Sequence, residues 1–203
     1  MKPAILKVEI FVIVIYTKTE LKNYRSKFLI QLRPLTSIPF CEYMKVEYIQ
    51  PFILATRKVL STMAFMESKP KKPYLKSEEK FEAYGEISGV IELNGESRGS
   101  IGINFSEDCI LKIALQMLGE EFDKITDDIA DMVGELVNMI SGDARRELVK
   151  LGFNFTAGIP VMSKGLNHQI KHFVQERVII IPFQTDGGDF YIETCFDSKK
   201  FLE

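Results

Sequence analysis

Apolar positions along this chain follow a helical period in three segments and alternate in two paired segments. "YIQPFILATRKVLSTMAF" (48–65) predicts a helix whose first turn tolerates Pro51. "EDCILKIALQMLG" (107–119) predicts a second, with Ser106 placed to cap it and Glu107 and Asp108 where the helix dipole favours acids. A third opens at Thr126, followed by Asp127 and Asp128, and runs to about Lys150, with Gly152 placed to end it. "YGEISGVIEL" and "RGSIGINF" form a hairpin joined at Asn94-Gly95, the pair a type I′ turn prefers. "FNFTAGIPVMSKG" reads as one strand, and "HFVQERVIIIPFQTDGGDFYIETCF" as a second hairpin turning at Asp186-Gly187-Gly188. "KPKKPYL" is a proline-rich basic loop. The order predicts an α+β fold, an antiparallel sheet of hairpins and the strand at 155–164 packed by long helices on one face.

Residues 1–43 read differently. "VEIFVIVIY" is a β-branched run, and the stretch after it is basic and punctuated by prolines. The chain therefore divides into an extension, 1–43, and a domain, 44–203. Charge follows the same boundary: residues 1–43 hold seven Lys/Arg against three Asp/Glu, net +4, leaving −6 of the overall −2 to the domain. An acidic balance argues against nucleic acid as a partner. Cys41, Cys109 and Cys195 are few, odd in number and far apart, as unpaired thiols in a reducing compartment are. "EIFVIVIY" is too short to span a bilayer and carries Glu9, so no membrane association and a cytoplasmic location are expected.

The third helix has an unusual outer face. Ile129, Val133, Leu136, Ile140, Ala144, Leu148 and Leu151 make its apolar stripe, with Met132 and Val137 at the margins. Opposite them Asp131, Glu135, Asn138 and Gly142 form a row of one residue per turn. Asn is a mediocre helix former, and an exposed helical Gly costs roughly 1 kcal/mol relative to Ala. Glu135 and Asn138, at i and i+3, reach one shared object above the helix, and Gly142 lets a partner backbone approach. Asn is no general base at neutral pH, and Asp131 with Glu135 would need a water-excluding cleft to act as an acid/base pair. An amide does orient water, and a carboxylate does pair with a lysine supplied by a partner. Phosphoryl hydrolysis asks for those two services once metal and charge stabilisation sit on the substrate. A plain solvated face that happens to hold Glu, Asn and Gly fits the same spacing.

"DMVGELVNMISGDARRELVKLGFNFTAGIP" closely resembles the signature of the CheC/CheX/FliY family of chemotaxis phosphatases, matched here by Asp131, Glu135, Asn138 and Pro160. "YIQPFILATRKVLSTMAF", "KPYLK", "GSIGINFSEDCILKIALQMLGEEF" and "IKHF…IIIPF" resemble CheX-like members in particular, over about residues 44–197. The resemblance implies removal of the aspartyl phosphate from a phosphorylated CheY-type response regulator. Asn138 would orient the attacking water and Glu135 would pair with a lysine of the regulator, with Asp131 and Gly142 in the docking face. No cofactor is expected in this chain, since the regulator would supply the Mg²⁺. The resemblance also implies a sheet that continues across a two-fold homodimer, for which "YIETCF" and "RVIIIPF" offer edges. A non-catalytic adaptor that docks the regulator, and a purely structural oligomer, remain open alternatives.

A shift of 88 residues lays "EYIQPFILATRKVL" (47–60) on "ELVNMISGDARREL" (135–148), with Glu47 under Glu135 and Gln50 under Asn138. This echo suggests a duplicated, pseudo-two-fold unit whose first copy has changed the key amide, leaving one site per chain and a vestige at Glu47 and Gln50. His168 and His172 share a face if helical, but no third metal ligand is near, and surface histidines are expected. Lys69, Lys71, Lys72 and Lys76 read as a solvated loop before an acidic-partner site.

Overall fold

The computed structural model describes residues 46–76, 85–166 and 168–197. The extension expected over residues 1–43 lies outside the described residues. In chain order the elements are α1 (Val46–Met63), β1 (Lys69–Pro70), β2 (Tyr74–Leu75), β3 (Ile87–Gly95), β4 (Arg98–Phe105), α2 (Glu107–Leu118), α3 (Asp127–Lys150), β5 (Phe155–Ala157), β6 (Val161–Lys164), β7 (Val178–Thr185) and β8 (Gly188–Phe196). The strands form one sheet ordered β1-β7-β8-β4-β3-β5, with β2 also on β7 and β6 also on β3. Every pairing is antiparallel.

Register aligns the apolar alternation of neighbouring strands on one face. Ile91 faces Ile101, Ile103 faces Ile192, and Ile192 faces Ile181, all fully buried beneath the helices. Each such side chain contributes roughly 1.5–3 kcal/mol by leaving water. The α+β class holds, with the helices packed on this face.

Several local expectations give way to longer-range contacts. Asn94 pairs with Arg98, so the first hairpin turns through Gly95, Glu96 and Ser97, not through a two-residue Asn94-Gly95 loop. Gly95 is needed for another reason: a Cβ there would stand 1.9 Å from the Asn154 carbonyl oxygen leading into β5. The second hairpin does turn at Asp186-Gly187, closed by Thr185 against Gly188. The strand expected over 155–164 is two, β5 on Leu93–Gly95 and β6 on Ile87–Val90, parted at Gly158-Ile159-Pro160. The lysine-rich loop becomes β1 and β2 on β7, with Lys71 paired to Asp189 (2.9 Å) and Lys76 to Glu193 (2.8 Å).

The other face of the sheet is crossed by residues 168–176. Ile170 packs over Gly102, where a Cβ would meet its Cδ1 at 2.7 Å. His168 bonds Ser88 Oγ (2.7 Å), and His172 bonds Ser100 Oγ (2.8 Å) and Glu193 Oε2 (3.1 Å). The segment is not helical, and both histidines fasten it to the sheet instead of standing on the surface.

The sheet order reads the same under exchange of halves. β1 and β2 flank β7 as β5 and β6 flank β3, and β8 and β4 meet at the centre. Lys58 Nζ contacts Asp143 Oδ2 (2.8 Å) and the Tyr48 ring meets that of Phe153 (4.9 Å), so α1 and α3 pack antiparallel, as a pseudo-two-fold requires.

Candidate functional site

α3 is positioned from both ends. Thr126 Oγ1 accepts from Ile129 N (3.4 Å), and the chain leaves through Gly152 at φ +90°. Its buried face is Ile129, Met132, Val133, Leu136, Val137, Ile140, Ser141, Ala144 and Leu148. Met132 and Val137 are thus core, not margin. Leu151, expected in the stripe, is 42% exposed, because the helix stops at Lys150 and Leu151 turns out as its cap. Close seating comes from Gly89 of β3, where a Cβ would stand 2.8 Å from Val137 Cγ2 and 2.9 Å from Met162 Sδ. Arg145 Nη1 donates to the Phe155 carbonyl (3.3 Å) and Asp143 pairs with Lys58 and Arg146, holding the far end to β5 and α1.

With that face fixed, Asp131, Glu135 and Asn138 all point to solvent. Glu135 and Asn138 lie one turn apart, roughly 5–6 Å between Cβ atoms. Among the described residues neither side chain has a hydrogen bond or ion pair, so their polar atoms are free to engage a second molecule. Gly142 is half-buried, and a Cβ there would meet nothing nearer than Arg145 Nη2 at 4.0 Å. Nothing among the described residues demands glycine at that point, in contrast to Gly89 and Gly95. Asp131 and Glu135 are both exposed, without the exclusion of water that an acid/base pair needs to separate its pKa values. What the face offers is an amide and a carboxylate, presented to solvent on a helix about 36 Å long. Pro160 lies half-buried between β5 and β6, where its missing N–H suits the break.

Several solved structures share this fold and much of this sequence. A CheC-like superfamily protein from Shewanella sp. PV-4 is 42% identical with a TM-score of 0.70, covering 76% of this chain and 99% of its own. Chemotaxis protein CheX from Vibrio vulnificus is 40% identical with a TM-score of 0.69, covering 74% and 99%. The model of the chemotaxis phosphatase CheX family matches residues 87–184. The chain belongs to the CheX family. A more distant member is CheX from Borrelia burgdorferi, solved in complex with CheY, BeF3 and Mg²⁺; it is 29% identical with a TM-score of 0.62, covering 73% and 97%. We found no match among curated proteins.

The α1 segment that the 88-residue shift lays on the motif differs at the amide. Gln50 is exposed on α1, and the Glu47 side chain lies outside the described residues. No described helix is long and apolar enough to cross a membrane. Two features escaped the sequence reading. One is the buried carboxylate Glu193 with His172 and Lys76, whose only local signal was an acid inside the alternating run "YIETCF". The other is Phe65, exposed where α1 ends, whose signal was an aromatic in the place of a helix-ending glycine.

Proposed function

We propose that this protein hydrolyses the aspartyl phosphate of a CheY-type response regulator in the cytoplasm. The observation that carries the reading is the Glu135–Asn138 pair, exposed and without side-chain partners among the described residues, on a helix whose opposite face is locked into the core. The Borrelia CheX–CheY complex supports the choice of partner. Asn138 Oδ1 accepts a hydrogen bond from the attacking water and aims its oxygen at phosphorus. Glu135 pairs with a lysine of the regulator and fixes the approach, while Asp131 and the bare Gly142 complete the docking face. The regulator brings the phosphoaspartate and its Mg²⁺. A P–O bond forms to the water oxygen and the P–O bond to the aspartate breaks, releasing phosphate and a free carboxylate. Catalysis of this kind is chiefly positioning.

Phosphate release from a phosphorylated regulator, with and without this protein, tests it. Asn138→Ala is expected to slow release about 100-fold, on the scale of losing a positioning group, while shifting stability by no more than about 0.5 kcal/mol. A variant that melted would make the row structural, and one that kept full activity would remove the amide from the chemistry. Regulator binding without any change in phosphate lifetime would mark the wild-type protein as an adaptor.

A further inference from the structure

Arg145 is a cation that its own helix leaves without a counter-charge. Its Nη1 donates to the Phe155 carbonyl (3.3 Å), and among the described residues its side chain has no other partner. Nε is buried with no acceptor at all. The acids on either side of it along α3 are already engaged, Asp143 with Lys58 (2.8 Å) and Arg146, and Glu147 with Lys150 (2.7 Å). A guanidinium stays charged and carries five N–H groups in a planar fork. One bond to a neutral carbonyl leaves the charge and most of those donors unmatched, which is unusual for a group so far withdrawn from water.

That guanidinium lies at Gly142. A helical side chain leans toward the helix N-terminus, and the atom nearest to the place of a Gly142 Cβ is Arg145 Nη2, at 4.0 Å. Glycine inside a helix is less stable than any ordinary residue, and no described atom requires it there. Its missing side chain leaves a gap beside Nη2. Gly142 stands in the row of Glu135 and Asn138, seven residues on from Glu135, so a free carboxylate and a free guanidinium are set about 10 Å apart along one line of α3.

We propose that the Gly142 gap and the Arg145 guanidinium form a second contact for the CheY-type regulator, receiving a carboxylate of that partner and setting the direction in which it lies along α3. The inference rests on the Glu135–Asn138 row meeting such a regulator. Glu135 takes a cation at one end of the row and Arg145 an anion at the other. A partner laid the opposite way would set like charges against each other, which costs more than a lost attraction. Arg145 is a positioning residue: it holds the partner and touches no reacting atom.

The test uses the full chain, a BeF3-loaded CheY-type regulator for binding, and the phosphorylated regulator for turnover. Arg145→Gln removes the charge and keeps an N–H for the Phe155 carbonyl. Its Kd and KM are each expected to rise about tenfold with kcat within about twofold, and its Kd to depend less steeply on salt than that of the wild type. Arg145→Lys, which keeps the charge and loses the fork, is expected to recover part of the affinity and the wild-type salt dependence. Gly142→Leu fills the gap with a better helix former, so it is expected to melt at or above the wild-type temperature while its Kd rises about tenfold. A wild-type Kd in Arg145→Gln or in Gly142→Leu would overturn the contact and leave the phosphatase reading intact. So would an Arg145→Gln protein whose loss of affinity only parallels a loss of stability, at unchanged salt dependence, because that is the behaviour of a clamp on β5 alone. No binding and no turnover by the wild type would remove the docking reading and this contact together.

Discussion

Glu193 and Glu135 are the same residue type put to opposite uses. Glu135 stands in water without a side-chain partner among the described residues, so its charge is available to another molecule. Glu193 is 1% exposed and bonded by His172 Nε2 (3.1 Å) and by Lys76 Nζ at both carboxylate oxygens (3.0 and 2.8 Å). Burial pushes its pKa up, but the His172 and Lys76 hydrogen bonds outweigh that and hold it below its ordinary 4.5. A carboxylate held lower in the folded state than in the unfolded one stabilises the fold above the unfolded pKa. That contribution is lost as pH falls from about 4.5 through the folded value. Urea melts across pH should therefore show a stability drop on the acid side that Glu193→Gln flattens. At neutral pH the same variant should lose about 2 kcal/mol or more, since it breaks a buried charged hydrogen-bond set. Wild-type stability at neutral pH in Glu193→Gln would deny the cluster any structural role. Cys109 belongs to the same inward class, its thiol pushed up to about 11 by burial.

At the scale of elements, the chain states plainly what depends on neighbours in sequence. The three helices, their order among the hairpins, the Thr126 cap and the Gly152 exit were all legible, because period and cap chemistry are local. The exposure of the Glu135–Asn138 row was legible from its place opposite the apolar stripe. What stayed hidden depends on chain that is distant in sequence. Ser106 does not cap α2; its hydroxyl donates to the Asp189 carbonyl (2.8 Å), and Glu86 Oε2 accepts from Glu107 N (2.7 Å) in its place. The lysine-rich stretch is a strand only because β7 needs partners there. Gly95 looked like a turn residue and is instead the place where β5 crosses closely. Gly95→Ala is thus expected to destabilise by about 1–3 kcal/mol, as overpacking against backbone does, read from denaturant midpoints. A neutral outcome would return Gly95 to the turn.

On the scale of the whole molecule, the pseudo-two-fold relates α1 to α3 and one border of the sheet to the other. The two related helices differ on their outer faces: α3 carries Glu135 with Asn138, while α1 carries Gln50. The two borders differ as well. The strands first expected to offer edges do not: β8 lies between β7 and β4, and β7 is flanked by β8 and by β1 and β2. The border at β1 and β2 is blunted by its short strands and by Pro70, Pro73 and its lysines, devices that discourage pairing. The border at β5 and β6 is different. Both pair only β3 among the described strands, and Ile159 (86%) and Val161 (52%) are exposed beside them. A homodimer should therefore form by antiparallel pairing of β6 with its copy, an isologous contact that closes on itself. Light scattering is expected to report a dimer at micromolar concentration, and Val161→Lys to shift it to monomer with the fold retained by circular dichroism. Wild-type monomer under those conditions would reject the dimer. A dimer that survives Val161→Lys would move the contact to another surface.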